Sequence, residues 1–443
     1  MNINLNTDLI SKSFYQYLWP ALTGMVIKSL FIISDGWFVS QQVGADGLGA
    51  LSLVLPLFSG FTAIAMMIGV GGAARMSIEL GQGHQQSGQA WFNQSLLIVI
   101  LTSTTGVVLG MIFLNQIIAM MGAKGDMATL VYDFLIVLMP FLIFYAVGWV
   151  LSCFVRNDAN PKLATYAMSI GAMTNLILDY ILIIKLDMGM QGAAIATSIA
   201  QVIIFLILLS HFTRKQGALR LGLSRVELTK IKDIFSLGMP TFFIEVTAAM
   251  TLLLFNYVLL NQFGEKHIIA YGLTSNIGIF ALFVMVGIAQ ACQPIISFNH
   301  GAKHLSNIDQ TLSLGLKAAI GSGLVFLLLI WSMAPHIATW YFSGDEALII
   351  LAAKALSLFF LGVPLMGFNM VIANLFQAIA KPKQATLISV SRGFMFVVIG
   401  VLTLPQLFPD NGIWSSIVFA ETLTALISLS MLIHYRHRRA ALT

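Results

Sequence analysis

Twelve stretches of this 443-residue chain are apolar for long enough to cross a lipid bilayer, and that limits the fold more tightly than any motif. About 20 apolar residues suffice for a helix to span the hydrocarbon core. The stretches lie near residues 14–38, 48–72, 91–113, 129–153, 162–184, 190–212, 235–261, 268–294, 312–334, 346–372, 384–406 and 411–434. In lipid every backbone polar group needs a partner within the protein, so only helices or closed barrels can cross. The runs are too long and do not alternate, which excludes a barrel. The charged fraction is 9% and the hydrophobic fraction 58%, against about 25% charged in soluble domains. The expected class is an all-α polytopic membrane protein.

The chain also repeats itself at a shift of 220 residues. Pro20 falls on Pro240, Gly44 on Gly264, Ala50 on Ala270, Gly81 on Gly301 and Gly192 on Gly412. The register slips by one residue where Asn160-Pro161-Lys162 meets Lys381-Pro382-Lys383. Six spans per copy is an even number, so both copies enter the membrane from the same side. Two pseudo-symmetric six-helix bundles with a central cavity are therefore expected, as in transporters built from parallel repeats. The boundaries are residues 1–212 for the first bundle, 213–234 for a basic linker and 235–443 for the second bundle.

Loop charges set the orientation. With the N-terminus inside, sixteen lysines and arginines fall on the inner side, among them Arg75, Arg156, Arg214, Arg225 and Arg436. Only Lys124, Lys185 and Lys266 fall outside. Both termini are expected in the cytoplasm, in a multi-pass protein of the cell's inner membrane. The net charge of +5 is then a topology signal and requires no nucleic-acid partner. The basic inner rim is expected to lie against anionic lipid headgroups. No small-residue cleavage site follows the first span, so no cleavable signal is expected. Cys153 and Cys292 form no ligand or disulfide pattern and read as structural thiols.

The repeat is broken where chemistry is costly. A charge at mid-membrane costs about 2.5–3.5 kcal/mol, so each needs a reason. Asp35 falls on Phe255, and Asn175 and Asp179 fall on Phe396 and Gly400. Asn175 and Asp179 are four apart and share one face of the fifth span. Thr197 lies at similar depth in the sixth. These four residues are expected to converge within the first half. Two carboxylates in a dehydrated pocket cannot both ionise cheaply, which suits a proton carrier. The same oxygens suit Na⁺, and a third reading makes both acids protonated anchors between helices. Pro20 lacks an amide donor and Gly24 weakens the same stretch, so the first span can bend there. Lys28 shares the Asp35 face and can neutralise it, or pair with Glu245 of the seventh span, a second candidate for coupling or for attracting a cation. Lys354, Arg392 and Glu421 also lie within spans, as structural pairs or functional groups.

At this point the chain resembles the multidrug and toxic compound extrusion (MATE) family, over essentially its whole length. Leu18-Trp19-Pro20-Ala21, then Asp35, then Val43-Gly44, resembles the family's opening segment. The stretch from Phe154 to Pro161 resembles its loop between helices 4 and 5. Asn175, Asp179 and Thr197 point to the DinF-like branch. The resemblance implies Asp35 as the principal protonation site, Asn175, Asp179 and Thr197 as its partners, and Pro20 as a bending point. It further implies an antiporter exporting amphipathic, often cationic drugs against protons. The acids of the NorM-like branch on helices 7 and 10 are largely missing, which puts a C-terminal cation site in doubt.

Na⁺ coupling is the alternative, and flipping of a lipid-linked sugar a weaker one, since that needs a strongly cationic central cavity and Lys28 is the one basic residue near mid-membrane expected to line it. An intramembrane prenyltransferase would need an Asp-Asp-x-x-Asp motif, and an ATP-driven pump a phosphate-cradling Gly-x-x-x-x-Gly-Lys motif. The chain has neither. It is thus expected to be no enzyme, to hold no metal or cofactor beyond its coupling ion, and to act as a monomer on small amphipathic drugs among membrane lipids.

Overall fold

The structure is a computed structural model that describes residues 3, 5, 7–222, 226–342, 344–409 and 411–440. Arg225, counted above among the inner basic residues, lies outside them. Among the described residues, twelve helices are long and apolar enough to cross a membrane. They are α1 (Ile10–Gln42), α2 (Asp46–Gly81), α3 (Gln85–Ile112), α4 (Asp126–Asn157), α5 (Pro161–Lys185) and α6 (Gly189–Thr213). The second set is α7 (Leu228–Gln262), α8 (Glu265–Gly301), α9 (Leu305–Tyr341), α10 (Glu346–Ala378), α11 (Pro382–Leu407) and α12 (Gly412–Arg439). Each apolar run coincides with one helix. Most helices continue past the run, because backbone hydrogen bonding does not stop where hydropathy falls. In particular α7 starts at Leu228, so the last residues of the basic linker are helical.

Several helices carry local breaks with identifiable causes. Pro140 sits in a 3₁₀ turn, Met139–Phe141, in the middle of α4. In α10 the helix opens at Leu361–Gly362, just before Pro364. Proline removes a donor and crowds the preceding turn, which is why both breaks form there. Two further irregularities are π turns, Tyr180–Lys185 ending α5 and Ser391–Met395 within α11.

The chain divides into two compact units, Met1–Phe242 with Ser297–His304, and Phe243–Ile296 with Leu305–Thr443. The division falls inside α7 and α8, shortly after their internal prolines, Pro240 and Pro294. The 220-residue repeat is written into the backbone of the turns. Gly44 and Gly264 have φ of 79° and 87°, Gly83 and Lys303 82° and 60°, and Ala159 and Ala380 61° and 55°. Positive φ is uncommon outside glycine, so its return at matching positions records a shared chain path.

In the first unit, Phe92 of α3 packs edge-on against Phe154 of α4 at 5.0 Å and stacks on Phe212 of α6 at 4.6 Å. A second cluster gathers Phe38, Val131, Leu135, Ile183 and Ala193. Helix α2 meets the end of α8 backbone to backbone. A methyl group on Gly81 would collide with the Phe298 carbonyl, and one on Gly301 with the Ile78 carbonyl. Both pairs of positions are related by the repeat.

The second unit buries an ion pair. Arg392, in the α11 π turn, donates to Glu421 of α12 at 2.7 and 3.1 Å. Asn369 of α10 donates to the same carboxylate at 2.8 Å, and Ser428 donates to Asn369 at 2.9 Å. Every charge is answered, so this is a structural tie between three helices. Removing one member strands the other. Arg392→Met is expected to destabilise the protein by roughly 3–5 kcal/mol, and Arg392→Met with Glu421→Leu to recover most of that loss. Thermal unfolding in detergent checks both.

Candidate functional site

The fifth helix is set up locally. The side chain of Asn160 accepts from the Leu163 amide at 3.3 Å, and Pro161 occupies the first helical position. That is a polar cap followed by a residue whose fixed φ suits a helix start. Asn175 and Asp179 then face one side, four residues apart, and Asp179 is the last α-helical residue before the π turn. Turns of this kind often sit at functional positions.

The structure brings the four predicted residues together inside the first unit. Asp35 of α1 neighbours both Asp179 and Asn175 of α5. Asn175 in turn donates from Nδ2 to Thr197 Oγ1 of α6 at 3.5 Å. Asn175 and Asp179 have no exposed surface, and Thr197 keeps 4%. Asp35 is half-buried as a residue, with its Oδ1 buried. No described protein group donates a hydrogen bond to Asp35 Oδ1, Asn175 Oδ1 or either carboxyl oxygen of Asp179. Four buried acceptors without donors are the defining feature of this site. A buried acceptor left bare costs about 1–3 kcal/mol, more if charged.

Pro20 lies inside α1 as predicted. Its carbonyl is not idle, because Thr165 of α5 donates to it at 2.7 Å. Thr165 belongs to the site's scaffold, and sequence reasoning missed it. A threonine in a span usually bonds its own helix, so nothing local marked it as reaching a neighbour. Gly24 is buried, and a methyl group there would meet the Met168 sulfur at 3.5 Å, an ordinary contact. Space therefore does not demand glycine at that position.

Lys28 rests over the Trp149 ring of α4, 5.1 Å from its centroid. Such contacts hold a cation by the ring's quadrupole, a partner not considered from sequence. Glu245 is half-buried on α7 and belongs to the second unit. Arg392 and Glu421 pair with each other.

The second unit has closed its copy of the site with packing. Phe255, the counterpart of Asp35, is buried and stacks on Tyr271 at 4.7 Å. Gly400, the counterpart of Asp179, lies against Ser416 and Phe419. Near them α7 and α11 approach so closely that a methyl group on Gly393 would collide with Thr247, and Thr251 donates to the Gly393 carbonyl at 2.7 Å.

Known proteins agree on the family. The MatE family model matches residues 20–181 and again residues 240–402, with a 220-residue displacement between the two starts. The multidrug export protein MepA of Staphylococcus haemolyticus is 25% identical over 439 residues, 97% of this chain and 94% of that protein. Two solved structures share the fold. A multidrug resistance MATE family transporter of the MOP superfamily, in an outward-facing conformation, superposes with a TM-score of 0.91 at 22% identity, covering 99% of this chain and 98% of that one. An aspartate-to-asparagine mutant of the Vibrio cholerae MATE transporter VcmN gives 0.89 at 19% identity, over 97% of each chain.

The bare oxygens make a stability prediction. Asp35→Asn brings amide donors to the Asp179 oxygens at unchanged volume, so the variant is expected to unfold at or above the wild-type temperature. Thr165→Val removes the donor to Pro20 and is expected to lose about 1 kcal/mol. Thermal unfolding of both would decide, and a clear drop for Asp35→Asn would show that Asp35 is already well satisfied.

Proposed function

The chain belongs to the MatE family, that of the multidrug and toxic compound extrusion transporters, and on that basis we propose that it exports small amphipathic, often cationic drugs in exchange for protons. The carrying observation is the set of four buried, donor-free oxygens on Asp35, Asn175 and Asp179. Asp35 is the principal protonation site of this reading, with Asn175, Asp179 and Thr197 as its partners. One proton on the acid pair turns a carboxyl oxygen into a donor for its neighbour and removes the repulsion between the two acids. Losing the proton restores both penalties. The site is thus worth different free energies in its two states, as a coupling site requires.

Asp35 sits on the same helix as Pro20 and Gly24, where one backbone hydrogen bond is missing and the helix is weakened. Recharging the acid pair changes how α1 rests on α5, and the bend at Pro20 is where that change is absorbed. Transport then follows alternating access between the two bundles, 1–212 and 235–443, about a central cavity. One charge crossing 100 mV supplies about 2.3 kcal/mol, enough to drive the cycle. Export of drugs is supported by the staphylococcal relatives, which are multidrug export proteins. Twenty-two methionines provide soft apolar surface that accepts varied ligands. Glu245 and Lys28 are secondary candidates for drawing or orienting a cationic substrate. The reading places the protein in the cell's inner membrane, as a monomer with both termini in the cytoplasm and its basic rim on anionic lipid.

A second reading, Na⁺ coupling, has a specific observation behind it. Carboxylate, amide and hydroxyl oxygens are hard ligands that suit a small cation as well as a proton. Flipping of a lipid-linked sugar has less support, because it needs a strongly cationic cavity.

Purified protein in proteoliposomes separates these readings. Ethidium uptake into inverted vesicles is expected to follow an imposed pH gradient, to ignore an Na⁺ gradient, and to fall at least about tenfold in Asp35→Asn, as for a lost proton-transfer group. Strict Na⁺ dependence would turn the site into an Na⁺ site, and full pH-driven transport by Asp35→Asn would remove Asp35 from the mechanism.

A further inference from the structure

A second buried polar cluster sits in the first unit, far along α1 from Asp35, where α4 hands over to α5. Asp158 follows α4 and is 7% exposed. Its Oδ1 accepts from the Ala218 amide at 2.9 Å, and its Oδ2 accepts from the Leu219 amide at 3.3 Å. Both donors belong to the basic linker that follows α6. The same Oδ2 lies 2.9 Å from Nε2 of His211, a fully buried residue in the last turn of α6.

The imidazole proton can be assigned. Nδ1 of His211 lies 3.4 Å from the side-chain nitrogen of Asn160. Asn160 spends its oxygen on capping α5 through Leu163, so its amide nitrogen must face the ring. Nδ1 then has to accept, which leaves the proton on Nε2, pointing at Asp158. The carboxylate thus receives three donors from two directions.

The linker is shaped to fit this arrangement. Gly217 passes so close that a methyl group on it would collide with both Asp158 and His211. Further on, the Arg220 amide donates to Gln89 of α3 at 2.7 Å, while Gln89 donates back to the Arg220 carbonyl. The Glu227 amide donates to Gln94 at 3.3 Å, and Lys230 lies over the Trp91 ring at 5.8 Å. From α1, the buried Tyr17 comes within electrostatic reach of Asp158. The linker is therefore docked on the first unit at residues 217–220 and again at 227–230.

We propose that Asp158, held by His211 and Asn160, is a positioning residue that anchors linker residues 217–219 to the ends of α5 and α6. Those two helices and α1 carry the acid site, and the linker leads directly into α7. The anchor ties the chain shortly before α7 to the helices that respond to the acid pair, so that rearrangement there is passed toward α7. Docking stands on geometry alone. Its consequence for turnover rests on the transport reading above.

Amide hydrogen exchange on the full chain in lipid nanodiscs tests the docking, with ethidium binding and transport measured on the same preparations. Asp158→Asn and Gly217→Ala, acting from opposite sides of one contact, are each expected to speed exchange at Ala218 and Leu219 about tenfold or more, the size of a lost bond to a charged acceptor. The double variant should exchange no faster than the singles, because both break one interaction. His211→Gln, whose amide can still donate to Asp158, should keep the linker protected, whereas His211→Leu should not. Turnover per ethidium-binding site should fall in the unprotected variants with KM unchanged. Unchanged exchange in Asp158→Asn, additive single variants, equal behaviour of the two His211 variants, or wild-type turnover with a released linker would each overturn the proposal. A failure of pH-driven transport alone would leave the exchange result standing, so the two readings fail separately.

Discussion

Inside a bilayer no water completes an unfinished hydrogen bond, and every part of this structure answers to that constraint. It forces the backbone into helices and makes a polar side chain without a partner costly. Hydroxyls mostly solve the problem within their own helix. Ser29 donates to the Met25 carbonyl at 3.1 Å, Ser198 to Ala194 at 2.7 Å and Thr424 to Ala420 at 2.8 Å. Charged groups cannot be satisfied so cheaply. Arg392 and Glu421 are joined across two helices and backed by Asn369. Among the described residues, buried carboxyl oxygens without any protein donor occur at Asp35 and Asp179. Other buried oxygens of the described residues also lack a partner, Gln16 Oε1 and Asn374 Oδ1 among them, but they belong to neutral groups, whereas this pair consists of acids, and that is the physical basis of the proposal that it takes the coupling ion.

The duplication explains why the open pair has no twin. The turns of the two halves still follow one path, down to the left-handed conformation of Ala159 and Ala380. Side chains diverged where the cost was highest. Phe255 stacks on Tyr271 in the place of Asp35, and Gly400 lets α11 lie against Ser416 in the place of Asp179. One half carries costly polar groups and the other fills the matching positions with dispersion contacts. A backbone path is a property of the whole chain and resists change, whereas a buried acid can be exchanged for an aromatic ring without moving a helix.

The polar residues of the first unit collect at two levels. One is the acid site of α1, α5 and α6. The other is the Asp158, His211 and Asn160 cluster at the far ends of α5 and α6. Their sequence signatures differ in kind. Asp35 and Asp179 stand out because a charge within an apolar run is conspicuous by itself. Asp158 lies in a polar turn between two spans, where an aspartate is unremarked, and His211 lies at a helix end where a histidine is ordinarily solvated. Only contact with each other and with the linker gives them meaning.

What the sequence determined by itself follows from local composition. It set the twelve spans, the 220-residue duplication, the inequality of the halves, and the four polar residues that meet within the first unit. Hydropathy, repeat register and misplaced polarity are all properties of a few neighbouring residues, so they can be read without coordinates. The tertiary structure decided who meets whom. Thr165 reaches Pro20 across 145 positions, Asp158 meets Ala218 across 60, and Arg392 meets Glu421 across 29. It also decided that Lys28 lies on Trp149 and that linker residues 218 and 219 are held by Asp158. Such pairings depend on how helices already formed pack against one another, through distances of a few ångströms that residues far apart in the chain do not announce.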